Sequence, residues 1–460
     1  MAQTEPDTGT SSPPGSAPPE PDVLPLEEDV TASPKAAAPL VPPEITAQTL
    51  SEYVHAQWLR IKSGESGILP VLLSLIIITI VFQAISPHHV FISAENIINL
   101  FQQSAVFMVL AMAEIFALLL GEIDLSIGFL GPVGGAIAVQ LAQPVTSDFP
   151  WWAAIIIALL AVSLVGAVQG SLITRLRLPS FIVTLAGLLI FNGVLLIVLK
   201  FGPFSGYPSL IGRSSNLNAL HNLMWGNVTP AAGWIIMIVI VALFGLRLFL
   251  RDERRRRSGL VAPPLSLTVI KIVLIAALGV VLVVVCNLNR AHVGTLKGVP
   301  FFVFIVLGIL VVWSFLLQRM RFGRYIYAIG GNAEAARRAG VNVTMVRTWA
   351  FVLCALTAGI AGILYASQLG GMSNNVNGGQ LVLYAVAAAV IGGTSLFGGR
   401  GKMTHGVIGG LVIGGIYNGT YLLGLEVQWQ YIVTGAVLLF AIVVDAVSRR
   451  GSMSGSVTHV

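Results

Sequence analysis

From residue 67 onward the chain alternates between long apolar runs and short polar stretches rich in Arg, Gly, Asn or Pro. An α-helix needs about 20 predominantly apolar residues to cross a bilayer core. Twelve runs meet that length: 67–86, 103–120, 125–142, 150–172, 180–199, 230–250, 267–286, 300–318, 349–367, 381–397, 403–424 and 429–447. The sequence lacks the alternation in short segments that marks a membrane β-barrel. The pattern predicts an all-α fold, a polytopic transmembrane helical bundle of about 12 spans over residues 67–450.

The first 50 residues break this pattern. They are acidic and rich in Pro, Ser, Ala and Thr, and hold too few apolar groups to bury a core, so they are expected to be a disordered tail. A cleaved signal peptide is not expected, because a basic start and an apolar stretch are both missing there. Residues 51–66, with Trp58, Arg60 and Lys62, suit an interfacial helix ahead of the first span.

Composition agrees with a membrane protein. Mean hydropathy is +0.86. Only 10% of the 460 residues are charged, against about 25% in a soluble domain. The net charge of +6 conceals a split: residues 1–50 carry eight acids and one base, and the remainder 12 acids and 25 bases. The basic residues fall in alternate loops, including Arg175 and Arg177, the RDERRRR run at 251–257, the 319–348 loop, Arg400 with Lys402, and Arg449-Arg450. That is the positive-inside pattern rather than a nucleic-acid surface. It predicts both termini in the cytoplasm. Cys286 and Cys354 lie in apolar runs and suggest neither a disulfide framework nor a metal site, and the histidines show no metal spacing.

Glycines crowd two of the runs, 125–142 and 403–424, where small residues let helix backbones approach closely in lipid. Gly392-Gly393, Gly398-Gly399 and Gly401 look different, like a helix breaking up at its inner end. Such backbone is tolerable at membrane depth only inside protein or beside water.

The polar stretch from Arg319 to Thr348 holds six arginines and one acid, Glu334. Gly330-Gly331 breaks the chain, Asn332 is placed to cap a short helix, and Glu334 sits in the first turn, where the dipole favours it. Arg337 and Arg338 fall in the last turn, and Gly340 can close the helix in the left-handed region. Two turns alone would be unstable in water. The segment therefore either docks on a partner or lies on the membrane as an amphipathic spacer. Its surface is alanine, so Trp at Ala335 or Ala336 is expected to block docking and leave the spans intact.

Candidate chemistry is sparse. Glu114 is the acid deepest within a run and is a functional candidate by default, although a neutral glutamic acid bonded to a neighbouring helix explains it as well. Glu122 and Asp124 suit the start of the next helix, and Asp124 is kept with the path candidates. A solute path needs hydroxyl and amide groups with apolar or aromatic walls. Gln102, Gln103, Ser104, Phe181, Thr184, Asn192, Ser395 and Asn418 offer these, though interhelical hydrogen bonding accounts for each one singly. GGTSLFGGRGK is not a phosphate loop: Leu396 stands where Gly is required and Met403 where Ser or Thr is required. No catalytic cluster is evident.

Four motifs together resemble a known family: GEIDLSIG at 121–128, LPSFIVTLAGLLIFNGVLL at 178–196, RFGRYIYAIGGNAEAARRAGVNV at 321–343 and VIGGTSLFGGRG at 390–401. In this order they are similar to the integral membrane permease subunits of bacterial ABC sugar importers of the ribose/xylose/galactose type. The 178–196 segment and the two extra runs at 230–286 look most like the xylose-type permeases. Glu122, where many relatives have Gly, and the acidic tail depart from the pattern. The resemblance implies a permease that pairs with a second copy. A cytoplasmic ATPase holding ATP and Mg would drive it, with no cofactor on this chain, and an extracytoplasmic binding protein would deliver the sugar. It also implies that 332–340 is the coupling helix. Competing readings are an ion-coupled sugar symporter, with Glu114 carrying the proton, and an ABC permease for branched-chain amino acids or nucleosides. No matching halves with interrupted helices support the symporter.

The orientation is open to direct test. A cysteine placed at Arg255 should escape a membrane-impermeant thiol reagent added to intact cells. Labelling there would invert the topology.

Overall fold

The computed structural model describes residues 69–436, apart from 145, 201–208, 211–213, 260–264 and 292–293, together with residues 52 and 439. The expected disordered tail, most of the interfacial helix at 51–66 and most of the run at 429–447 lie outside the described residues.

The helices are α1 (Leu69–Ile85), α2 (Ala94–Leu118), α3 (Ile127–Ala142), α4 (Trp151–Arg175) and α5 (Ser180–Lys200). They continue with α6 (Ser215–Trp225), α7 (Pro230–Arg257), α8 (Leu265–Asn287), α9 (Phe301–Arg319) and α10 (Arg321–Gly331). The short α11 (Ala333–Arg338) precedes α12 (Val343–Leu369), α13 (Gly378–Ile391) and α14 (Met403–Leu422). A further helical stretch covers 427–436. Among the described residues the only β pairings are two isolated bridges, Ser209 with Gly371 and Asn227 with Pro300. The chain is thus a helical membrane bundle. Among the described residues seven helices are long and apolar enough to cross a membrane: α2, α4, α5, α7, α8, α9 and α12. Shorter apolar helices occupy Val71–Ile85, Ile127–Ala142 and Gly378–Ile391.

Burial sorts these helices into centre and periphery. The apolar window of α2 is 89% buried and that of α12 is 72% buried, against 11% for α7 and α8. A helix apolar on every side is stable in the core of a bundle or facing lipid. The sorting therefore comes from side-chain size. α12 packs on α2, α3 and α4, and α14 lies along α2. Both contacts run through glycine. A Cβ on Gly362 of α12 would sit 1.7 Å from the Gly131 carbonyl oxygen of α3. On α14, Gly406, Gly410 and Gly414 repeat every four residues against Met112, Met108 and Ser104 of α2. The one helix face that carries the glycines is the face that meets its neighbour.

Several boundaries differ from expectation: α2 starts at Ala94, nine residues before its apolar run, and α7 continues through the arginines to Arg257. α13 ends at Ile391 instead of 397, because Gly393, Gly398 and Gly399 adopt positive φ and turn the chain. α12 begins at Val343, six residues before the apolar run, under an Asn342 side-chain cap on the Met345 amide.

Replacing Gly362 by Val should cost about 3 kcal/mol through overpacking against the α3 backbone. Gly308→Ala on α9 should be neutral, since a Cβ there meets nothing within 4 Å. Thermal unfolding in detergent compares the two. Equal melting temperatures would show that the α3–α12 contact does not depend on glycine.

Candidate functional site

Two regions at opposite ends of α2 gather the polar groups. The first is a cavity at the end away from the arginine-rich loops. It lies between Gln103, Val106 and Phe107 of α2, Tyr365 and Gln368 of α12, Gln380 and Tyr384 of α13, and Tyr417 of α14, with Asn375 and Asn377 at the loop before α13. A wider chamber adjoins it through Asn377, Gln380 and Tyr384 and adds Leu383, Tyr431 and Thr434. Their volumes are about 140 and 350 Å³. Among the described residues no charged side chain lines either one.

Local sequence fixes the lining. Asn377 caps α13 by accepting from the Gln380 amide at 3.0 Å, which sets the register of that helix. Gln380 and Tyr384 then fall one turn apart on the same face, and the Gln380 amide donates to the Tyr384 oxygen at 2.7 Å. Asn377 donates to Tyr431 at 3.0 Å. Phe107 meets Tyr384 and Tyr417 edge-on, with ring centroids 5.2 and 5.7 Å apart. Asn418 donates to Gln103 at 3.2 Å and accepts from Asn96 at 2.9 Å, so the Gln103 amide is held by its neighbours.

The second region is at the arginine-rich end, where three chain segments meet at glycines. The Gly399 amide donates to the Leu119 carbonyl at 2.9 Å. A Cβ on Gly330 would lie 1.8 Å from that same oxygen. The Tyr327 hydroxyl donates to the Gly401 carbonyl at 2.7 Å, and burial pushes its pKa up, so it stays a donor. Glu122 pairs with Arg347, tying the α2–α3 turn to α12.

α11 follows α10 and packs on it and on α12. Asn332 accepts from the Ala335 amide at 2.9 Å. Gly340 has φ +83°, its amide donates to Arg337, and the Val341 amide donates to Ala336, which is a Schellman closure. Glu334 pairs with Arg337 and Arg338. The break expected at Gly330-Gly331 falls one residue later, because α10 continues through Gly331 and ends at Asn332. A second correction concerns Ala336. It is buried, with Val343 and Val346 in the same core cluster, so Trp there would disrupt the chain's own packing. Glu334, Ala335, Arg337 and Arg338 form the exposed face.

The structure disperses the remaining path candidates. Only Gln103 lines the cavity, with Asn418 behind it. Gln102 turns away to donate to the Met224 carbonyl, and Ser104 sits in the α2–α14 contact. Glu114 lies eleven residues along α2 from Gln103, about 16 Å by helix rise. It is fully buried and accepts from the Asp124 amide, while Asp124 accepts from the Ser126 amide and hydroxyl. Thr184 donates to the Ile123 carbonyl beside them. Phe181 is exposed on the outer surface of α5, and Asn192 of the same helix is half-buried. Ser395 shapes the 392–402 loop at the arginine-rich end, where its hydroxyl accepts from the Phe397 amide. The residues missed are Tyr365, Gln368, Asn375, Asn377, Gln380, Tyr384, Tyr417 and Tyr431. Asn377 and Gln380 carried a local signal, a capping Asn three residues before Gln, whereas the tyrosines carried none.

Asn332→Ala should weaken the α11 cap by about 1 kcal/mol and speed amide exchange over 333–341 about fivefold. Hydrogen exchange with mass spectrometry reads this directly. An unchanged rate would mean that tertiary contacts alone hold α11.

Comparison with known proteins accords with this architecture. Residues 96–442 match the family described as "Branched-chain amino acid transport system / permease component". The chain is 34% identical over 387 residues to the xylose transport system permease protein XylH of Escherichia coli (strain K12), covering 83% of this chain and 92% of that one. It is 29% identical to the D-allose transport system permease protein AlsC of the same strain, covering 81% and 89%. It is 28% identical to the ribose import permease protein RbsC, covering 87% and 99%. No solved structure matches. The ion-coupled symporter reading loses its footing, and the chain belongs to this permease family, among the permease subunits of bacterial ABC sugar importers.

Proposed function

We propose that this chain is the membrane-spanning subunit of an importer for a neutral monosaccharide, xylose or a sugar of similar size. In this reading both termini face the cytoplasm, a separate cytoplasmic ATPase drives transport, and an extracytoplasmic binding protein delivers the sugar. The observation that carries the reading is the uncharged cavity beside Gln103, Gln380 and Tyr384. Its wider chamber has the size of a small-molecule site, about 300–1,000 Å³. Amides and phenols can each donate and accept, as sugar hydroxyls do, and aromatic walls suit the C–H faces of a sugar ring. With no ion pair to break, a solute can leave as readily as it enters.

The chamber opens sideways. Exposed Leu383, Tyr421 and Trp429 surround the helices that form it. A second copy of the chain would cover that apolar rim and close the path between two subunits.

The exposed face of α11 is the element that meets the ATPase in this reading. It rests on Leu119 and Gly399 through α10, so a push on it reaches the inner ends of α2 and the loop after α13. Substrates of the allose or ribose class differ by hydroxyls and size, and the same lining suits them.

The test is uptake in vesicles that contain the permease, its ATPase and its binding protein. Gln380→Leu should lower sugar uptake about two- to twelvefold with protein abundance unchanged, the loss of one hydrogen bond of about 0.5–1.5 kcal/mol. Ala335→Trp should abolish sugar-stimulated ATP hydrolysis and leave the permease in the membrane. Accumulation driven by a proton gradient without the ATPase would refute the reading.

A further inference from the structure

α7 and α8 form a peripheral hairpin that is fastened at one end only. At the end away from the arginines, Trp234 and Met237 of α7 and Val283 and Cys286 of α8 join Ile98, Val299, Val303 and Phe304 in one apolar cluster. Further along, α7 packs on α8 and hardly touches α9. Gly308 on α9 faces open space, and Val311, Val312 and Phe315 beyond it are exposed. A wedge of about 450 Å³ results, lined by Leu243, Leu246 and Leu250 and by Arg247, Arg251, Arg254 and Arg319.

The wedge is apolar along its length and cationic at its mouth. Leu243, Leu246, Arg247, Leu250, Arg251 and Arg254 recur at three- and four-residue steps, so one face of α7 carries both characters. Among the described residues no carboxylate lines it. Arg251 is engaged by Asp252 at 2.9 Å, and Asp252 also accepts from Thr268 of α8 at 2.8 Å. Arg247, Arg254 and Arg319 make no ion pair among the described residues.

We infer that this wedge is an anionic phospholipid site, with the phosphate among Arg247, Arg254 and Arg319 and an acyl chain along Leu243, Leu246 and Leu250. The lining has the two-part chemistry of one molecule, a phosphate joined to a hydrocarbon chain. A free phosphate would leave the leucines bare, and a zwitterionic lipid would bring a cation into a cluster of guanidiniums. Basic pockets between spans are the expected seat of anionic headgroups. The lipid would fill the wedge and brace the hairpin against α9. This inference is independent of the sugar assigned above.

The experiment is native mass spectrometry of the full-length chain titrated with phosphatidylglycerol, with phosphatidylcholine of the same acyl chains, and with glycerol 3-phosphate. Phosphatidylglycerol should bind at least about tenfold tighter than phosphatidylcholine, and glycerol 3-phosphate should not displace it. The R247Q/R254Q/R319Q variant should lose that preference. R175Q/R177Q/R255Q, which removes as much charge elsewhere, should keep it. Leu246→Trp keeps every charge but fills the wedge, and should weaken phosphatidylglycerol binding even if the triple variant fails to fold. Equal affinity for the two lipids in the native chain overturns the proposal, as does equal loss in the two triple variants or an unchanged affinity in Leu246→Trp. Displacement by glycerol 3-phosphate would make the wedge a site for soluble anions and likewise overturn it.

Discussion

The close approach of helix backbones through glycine is the contact on which this bundle depends. Lipid tails are as apolar as leucine, so burial of apolar surface gives little reason for one span to prefer another over lipid. What remains is fit, and fit is best where side chains are absent. Gly131 against Gly362, and Gly406, Gly410 and Gly414 against Met112, Met108 and Ser104, bring α3 onto α12 and α14 onto α2. These contacts make α2 and α12 the axis of the molecule and leave α7 and α8 to face lipid.

The axis has two working ends. At one, α2, α12, α13 and α14 supply an uncharged polar lining. At the other, the same α2 ends where the Leu119 carbonyl meets Gly399 and crowds Gly330. The arginine-rich junction and the cavity are therefore joined by packed helices rather than by a flexible linker. The junction contains few side chains that could yield, because its contacts are backbone to backbone. Glu122 and Arg347 add a charged strut alongside.

The periodicity of the sequence told most about the helices. Eleven of the twelve apolar runs coincide with a helix, and the ends of α11 followed from Asn332, Glu334 and Gly340 because capping depends on the residue itself. Ala336 was misread because burial of an alanine depends on what the fold packs around it, and here it joins the main apolar core. The cavity was the least legible part. Gln103 stood out as an amide within an apolar run, but Tyr365, Tyr384 and Tyr417 look like ordinary span aromatics until four helices bring them together. Glu114 drew attention by its charge and turned out to sit with Asp124 and Ser126 about 16 Å along the helix from that cavity.

The shortness of α13 has a consequence of its own. Its 14 residues rise about 21 Å, well under the 30 Å of a hydrocarbon core. Beside it α3, with 16 residues, is nearly as short, and the Gly378 carbonyl lies against Gly128. In the transport reading proposed above, the barrier here is a septum, not a full-length channel wall. Between Gln380 and the glycine loop lie only a few helical turns, through Ala385, Ala388 and Ala389. Because those side chains are so small, opening the septum needs only a modest separation of helices, and its leak-tightness at rest is set by how closely alanine and glycine can be packed.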